Sequence, residues 1–164
     1  MKIIFSLLDS AVDIIVWVIV AFVLFGFANM AMAQELTLEQ KIITHTILGE
    51  ARGEGKAGMY GVACVIKQRT INRKKSAKDV CFEEDQFSFW NVDNKNRENV
   101  RRLVLNNRSE VVRYAKLLAV NLARLDRSFV NNADHYCRLE INNYWTKKSK
   151  PVKVIGNHKF FKLK

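Results

Sequence analysis

The chain has 164 residues, enough for one domain and too few for several. Hydrophobic residues make up 49%, which excludes a disordered chain, and 27 basic against 16 acidic side chains give a net charge of +11. The cations are spread along the chain without a helix-turn-helix or RNA-binding signature, so charge alone does not make a nucleic-acid module.

Chain order begins with an apolar segment. From Ile14 to Ala28 no residue is charged, and the run ends in Ala31-Met32-Ala33, the small-x-small pattern before a signal-peptidase cut. A stretch of this length at the N-terminus suits a bilayer better than a core. Residues 1–33 are therefore expected to be a signal peptide or signal anchor, with residues 34–164 as the domain. Lys2 opposed by Asp9 and Asp13 makes a thin positive n-region, so the segment reads as holding the chain to the inner membrane before cleavage or without it. A cleaved signal is the favoured form. Without Lys2, Asp9 and Asp13, residues 34–164 keep 26 basic and 14 acidic side chains, a net +12. For an exported protein that charge points to anionic cell wall or membrane rather than nucleic acid.

Thr37-Leu38-Glu39-Gln40 has the form of a capping box, and Leu38, Ile42, Ile43, Thr46 and Ile47 follow helical spacing. The first helix is expected from about Leu38 to about Leu48, ending near Gly49 or Gly53. A second spans roughly Lys56–Asn72, with Met59, Val62, Ala63, Val65, Ile66 and Thr70 inward and Lys67, Gln68, Arg69 and Arg73 on a polar face. Residues 76–94 read as loop with short helical or extended pieces. Helices follow over Glu98–Asn106 and Glu110–Leu125, the latter capped by Ser109. At the C-terminus the period changes: Val152–Ile155 and Lys159–Leu163 are strand-like around the tight turn Gly156-Asn157. The class is α+β, mainly helical with a small C-terminal β-hairpin.

Three stretches carry candidate chemistry. In Ile47–Gly55, ILGEARGEG, Glu50 at a helix end can point into a cleft as a general acid, with Glu54 as a second carboxylate. The competing reading is a solvated turn in which Arg52 pairs with either acid. In Asp85–Asn91, the residues Gln86, Phe87, Ser88, Phe89 and Trp90 interleave rings with hydrogen-bonding groups, as a sugar groove requires; a core strand is the alternative. In Asp134-His135-Tyr136, His135 and Tyr136 are candidate substrate contacts, against a reading of His135 as a core histidine. Cys64 lies in an apolar helical run. Cys81 and Cys137 lie in less regular stretches and are the candidate disulfide pair. No metal-ligand spacing is present, and neither a metal nor a cofactor is expected.

Taken together, ILGEARGEG, GVACVIKQR, DQFSFWN, ADHYC and KVIGNHKFF resemble the catalytic domain of the spore cortex-lytic enzyme and cell-wall hydrolase family over about Leu38–Lys162. The resemblance implies a lysozyme-like α+β fold and a peptidoglycan substrate. It implies lytic transglycosylase action between N-acetylmuramic acid and N-acetylglucosamine, with Glu50 as the single catalytic carboxylate and no cofactor. A monomer in the periplasm or cell wall is expected, and the short single-domain form suits bacterial wall remodelling or a phage endolysin as well as a spore protein. The chain has Cys137 where the family often has histidine and Asp134 where it commonly has threonine. A lysozyme-type hydrolase with Glu54 as partner, an N-acetylmuramoyl-L-alanine amidase, and a non-catalytic wall-binding or lysis accessory protein are the alternatives.

Overall fold

The computed structural model describes residues 16–20 and 35–163, apart from 107 and 143. Its contacts divide the chain into Met1–Glu35 and Leu36–Lys164. In the first unit residues 16–20 are helical and exposed; the rest of the signal or anchor reading lies outside the described residues. Among the described residues no helix is long and apolar enough to cross a membrane.

The second unit is mainly helical with a three-stranded antiparallel sheet. Helix α1, Leu38–Ala51, opens on the capping box: Thr37 Oγ1 accepts from Gln40 N, and Gln40 Oε1 accepts from Thr37 N. It does not stop at Gly49 but runs past it, so Glu50 stands on a rigid last turn. Ile42, Ile43, Thr46, Ile47, Leu48 and Ala51 are all buried, on more than one side of the helix. A helix apolar around much of its girth belongs inside a domain, and α1 packs against α2 (Gly55–Arg73), α3 (Ala77–Phe82), α4 (Arg97–Asn106) and α5 (Glu110–Val120). Leu38, expected inward, is exposed at the free end of α1.

Helix α2 keeps the expected inward set from Met59 to Ile66, with Thr70 only half-buried, but two residues assigned to its polar face are buried: Gln68 and Arg69. Arg69 is tolerated there because its guanidinium has partners on two sides and a ring beneath it. Nε donates to the Asp134 carbonyl (2.7 Å), Nη1 to the Gln86 carbonyl (3.2 Å), and the group lies 4.8 Å above the Phe87 ring. This one side chain fastens the segment around residue 86 to the approach of β1.

The segment 83–96 carries a single 3₁₀ turn, Ser88–Trp90. Helix α5 ends at Val120, short of the expected Leu125, and continues as 3₁₀ turns at Leu122–Arg124 and Arg127–Val130. Ser109 stands at its N-cap position without a side-chain capping bond. The sheet has order β1–β3–β2, with β1 at His135–Arg138, β2 at Lys153–Ile155 and β3 at His158–Phe161. The hairpin between β2 and β3 turns at Gly156, whose φ of +54° is left-handed. Strand β1 had no sequence signal; its register sets Tyr136 opposite Phe160 and Arg138 opposite His158. A short helix α6, Tyr144–Lys148, lies between β1 and the hairpin in sequence, and its Trp145 ring packs edge-on against Phe161 (5.1 Å).

One close approach sets the geometry near Glu50. A Cβ added at Gly49 would overlap Cδ2 and Cγ of Phe89. Gly49→Ala therefore has to push Phe89 off α1 and should cost about 1–3 kcal/mol, the usual range for overpacking. The measurement is the urea midpoint, which should fall at unchanged m-value.

Candidate active site

The C-terminal turn of α1 delivers Glu50, half-buried, to the edge of a cavity of about 390 Å³. Three donors hold its carboxylate. The Phe89 amide (2.7 Å) and Ser88 Oγ (3.0 Å) reach Oε1, and the Tyr136 hydroxyl (2.8 Å) reaches Oε2. They come from the 3₁₀ turn and from β1, so three chain segments meet on one side chain. Burial first, and then the neighbouring Glu50 carboxylate, hold the Tyr136 phenol well above its usual range. It stays protonated and available as a donor. Its ring is set by Phe87 (6.4 Å), Phe160 (5.9 Å) and His158 (5.1 Å).

The two oxygens of Glu50 are not equivalent. A backbone amide can only donate, so Oε1 has to present a lone pair to Phe89 in any protonation state. A hydroxyl can donate or accept. Tyr136 can therefore donate to an ionised Glu50 and accept from a protonated one, and Oε2 is the oxygen fitted to carry a transferable proton.

The cavity is also lined by Gln86, Ser88, Asp85, Arg138, Ile141 and His158. Gln86 is fixed from behind, its Oε1 accepting from Arg73 (2.7 Å). Asp85 has a φ of +58°, a conformation that costs a non-glycine residue energy and that aspartate tolerates better than most. His158 is buried, with Nδ1 lacking a hydrogen-bond partner. Burial lowers its pKa, against the pull of Glu54 and Glu50, so the ring is neutral at neutral pH.

Several sequence expectations are corrected. Phe87 and Phe89 are 1% and 2% exposed, so they lie in the core behind the cleft. Trp90 is half-buried and faces elsewhere, its indole donating to Thr46 Oγ1 (2.9 Å). The alternation of QFSFWN is that of a buried aromatic turn, with Gln86 and Ser88 as its cleft side. His135 is not a cleft residue: it bonds through Nδ1 to buried Asp134 (2.9 Å) and packs against Trp145 (5.8 Å), and strand alternation turns it away from Tyr136. Arg52 pairs with neither acid; it bonds to the Leu48 carbonyl and to Asn96 Oδ1.

The Cys81–Cys137 disulfide is absent, and all three cysteines are free. Cys81 is buried in α3, while Cys137 stands on β1 among the residues that line the cavity. Burial pushes the Cys64 and Cys81 thiols up to about 12, so neither is a thiolate at neutral pH.

Glu54 is not a second cleft acid. It stands at the N-cap position of α2 and accepts from the Asn157 amide (2.7 Å) and from Asn157 Nδ2 (3.3 Å), binding the hairpin turn to the start of the helix. A Cβ at Gly156 would strike its Oε2. The carboxylate that does join Glu50 in the lining is Asp85. Asp85, Arg138, Ile141 and His158 escaped the sequence reading as site residues. Two of them had a signal, Asp85 as the first residue of DQFSFWN and His158 as the last residue of IGNH after a turn.

Residues 53–161, more than half of the chain, match the family model described as cell wall hydrolase. The chain belongs to that family. The matched span takes in Glu54, the cleft wall and the hairpin, and begins three residues after Glu50. Among solved structures, the catalytic domain of the germination-specific lytic transglycosylase SleB from Bacillus anthracis is similar. The TM-score is 0.56 at 21% identity, covering 79% of this chain and 98% of that one. At that identity the likeness is one of fold. No curated protein matches the chain.

The Asn157 amide bond, foremost, holds the Glu54 carboxyl below its ordinary value of 4.5. A depressed carboxylate stabilises the fold above the unfolded pKa and loses that contribution as pH falls through the folded one. The gap in urea midpoint between the wild type and Glu54→Gln should be full above pH 4.5 and close progressively below it.

Proposed function

We propose that this cell wall hydrolase cuts the glycan strand of peptidoglycan as a lytic transglycosylase, with Glu50 as its single acid and base. The observation that carries the reading is one carboxylate, held by three donors at the edge of a polar cavity, with Glu54 turned away to the hairpin. The family supports a peptidoglycan substrate, and the name of the similar solved structure supports the reaction type.

In this scheme Glu50 passes its Oε2 proton to the glycosidic oxygen as the bond to the anomeric carbon of N-acetylmuramic acid breaks. The leaving N-acetylglucosamine departs with that proton. The carboxylate, again held by Tyr136, Ser88 and the Phe89 amide, takes a proton from the muramic acid's own 6-hydroxyl. That oxygen closes on the anomeric carbon to leave a 1,6-anhydro end, and Glu50 finishes protonated. The substrate supplies the nucleophile, so one carboxylate suffices; an ordinary glycosidase needs two.

Residues 1–33 would take the protein out of the cytosol or hold it at the inner membrane, and residues 34–164 would act as a monomer in the periplasm or cell wall. The net charge of +12 favours encounter with the anionic wall, less so as salt rises. A lysozyme-type hydrolysis is the second reading, favoured by one observation: Asp85 joins Glu50 in the cavity lining.

The test is digestion of purified peptidoglycan with mass spectrometry of the soluble products. Anhydromuramic ends are expected. Glu50→Gln should lower the rate by about 100-fold or more, the span of general acid–base catalysis. Tyr136→Phe, which loses a hydrogen bond to a charged group, should lower it by roughly 10-fold or more. Asp85→Asn should keep the anhydro product. Hydrated reducing ends lost in Asp85→Asn would establish the two-carboxylate hydrolase, and free peptide stems would establish an amidase.

A further inference from the structure

Helix α1 carries Glu50 near one end and Leu38 at the other, about 18 Å away at 1.5 Å per residue. Several large apolar side chains are exposed on α1 and on the elements beside it. Leu38 is 67% exposed, Phe82 is 50% exposed, and the Phe82 ring rests edge-on against Trp90 with centroids 4.6 Å apart. Val92, two residues beyond Trp90, is 90% exposed. Its loop is fixed rather than loose: Arg97 Nη2 donates to the carbonyls of Asn91 (2.6 Å) and Val92 (3.0 Å).

Leu38 and Trp90 share a shallow hollow of about 300 Å³ with Lys41, His45, Arg97 and Arg101, and no acid lines it. Of the nearby acids, Glu98 is paired with Arg102, Glu39 accepts from the Lys78 amide and Glu83 is paired with Arg73 and Lys75, while exposed Glu84 lies two residues from Phe82 and subtracts from the charge. Asp93 adjoins Val92 and subtracts from this charge. Exposed large apolar groups rimmed by cations, with a tryptophan between them, have the chemistry of a bilayer interface, where rings and aliphatic chains enter and cations meet phosphates. The order of the chain agrees. The uncharged run Ile14–Ala28 ends ten residues before Leu38, so a membrane that holds that run is within reach of this surface.

We propose that this surface seats the domain on an anionic phospholipid bilayer. Leu38, Phe82, Trp90 and Val92 enter the interface, and Lys41, Arg97 and Arg101 meet headgroup phosphates. Anchoring through the N-terminal segment would make the second contact intramolecular, so individually weak groups suffice. The inference rests on residues 1–33 being retained as a membrane anchor and is independent of the bond that Glu50 cleaves.

The test uses the full chain with Cys137→Ser and a single fluorophore at Val92→Cys; Cys64 and Cys81 are buried and do not label. The protein is added to vesicles of phosphatidylcholine alone or mixed with phosphatidylglycerol, each carrying a lipid-borne quencher. Quenching at Val92→Cys is expected only with phosphatidylglycerol. It should be several-fold stronger than for a label at Tyr144→Cys, a site 72% exposed in α6. Lys41→Glu combined with Arg101→Glu should remove the difference and leave digestion of soluble peptidoglycan fragments equal to that of the Cys137→Ser parent, since neither residue lines the cleft. Equal quenching at both sites, quenching indifferent to phosphatidylglycerol, or a full chain that stays off the vesicles overturns the proposal. So does a fluorescence change that grows with protein concentration without lipid, which would assign the surface to self-association. Failure of the catalytic reading would show in the digestion alone.

Discussion

The cleft depends on how closely the Phe89 backbone can approach α1. Gly49 has no Cβ, so the Phe89 ring lies directly on the helix, and only then does the Phe89 amide stand 2.7 Å from Glu50 Oε1. Everything else follows from that approach. The 3₁₀ turn is fixed, Ser88 is brought to the same oxygen, and the other oxygen is left to Tyr136. A backbone amide is a good anchor for a group that changes protonation, because it cannot reverse its own role. The hydroxyl on the opposite oxygen can, so the two oxygens of the carboxyl are held differently.

Behind this arrangement lies an aromatic and cationic layer that never meets solvent. Phe87, Phe89 and Phe160 are buried, and Arg69 ties the carbonyls of Gln86 and Asp134 together over the Phe87 ring. A buried guanidinium with every neighbour satisfied is costly to disturb, since removing it leaves two carbonyls without donors. The layer therefore acts as the rigid backing against which Tyr136 is aimed. Glu54 works at the rim, holding the hairpin turn to the start of α2 and so setting where His158 enters the cavity wall.

Much of this was legible in the sequence, for local reasons. The capping box, the apolar spacing of α1 and α2 and the Gly156-Asn157 turn are signals within a few residues, and each produced the element expected. Glu50 was legible because it sits at the end of such an element. What was not legible depended on long-range packing. Phe87 and Phe89 look the same in sequence whether they line a groove or back it, and the answer came from Gly49, some 40 residues earlier. Arg69 read as surface because its partners, the carbonyls of Gln86 and Asp134, lie 17 and 65 residues away. Strand β1 is only four residues long and exists because β3 offers it an edge, which local pattern does not encode.

The wide separation of the pieces that meet at Glu50 has a consequence for how the chain acquires activity. Tyr136 lies 86 residues from Glu50, and Asn157 lies 103 from Glu54. Contacts of such sequence separation form late, after the entropy of closing long loops has been overcome. A chain cut short before its last strand keeps the glutamate, the helix that carries it and most of the core, yet has no finished cavity wall. A finished cavity is then a property of the folded domain: a nascent or unfolded copy carries the glutamate without its wall, and strand β3 decides when that wall is complete.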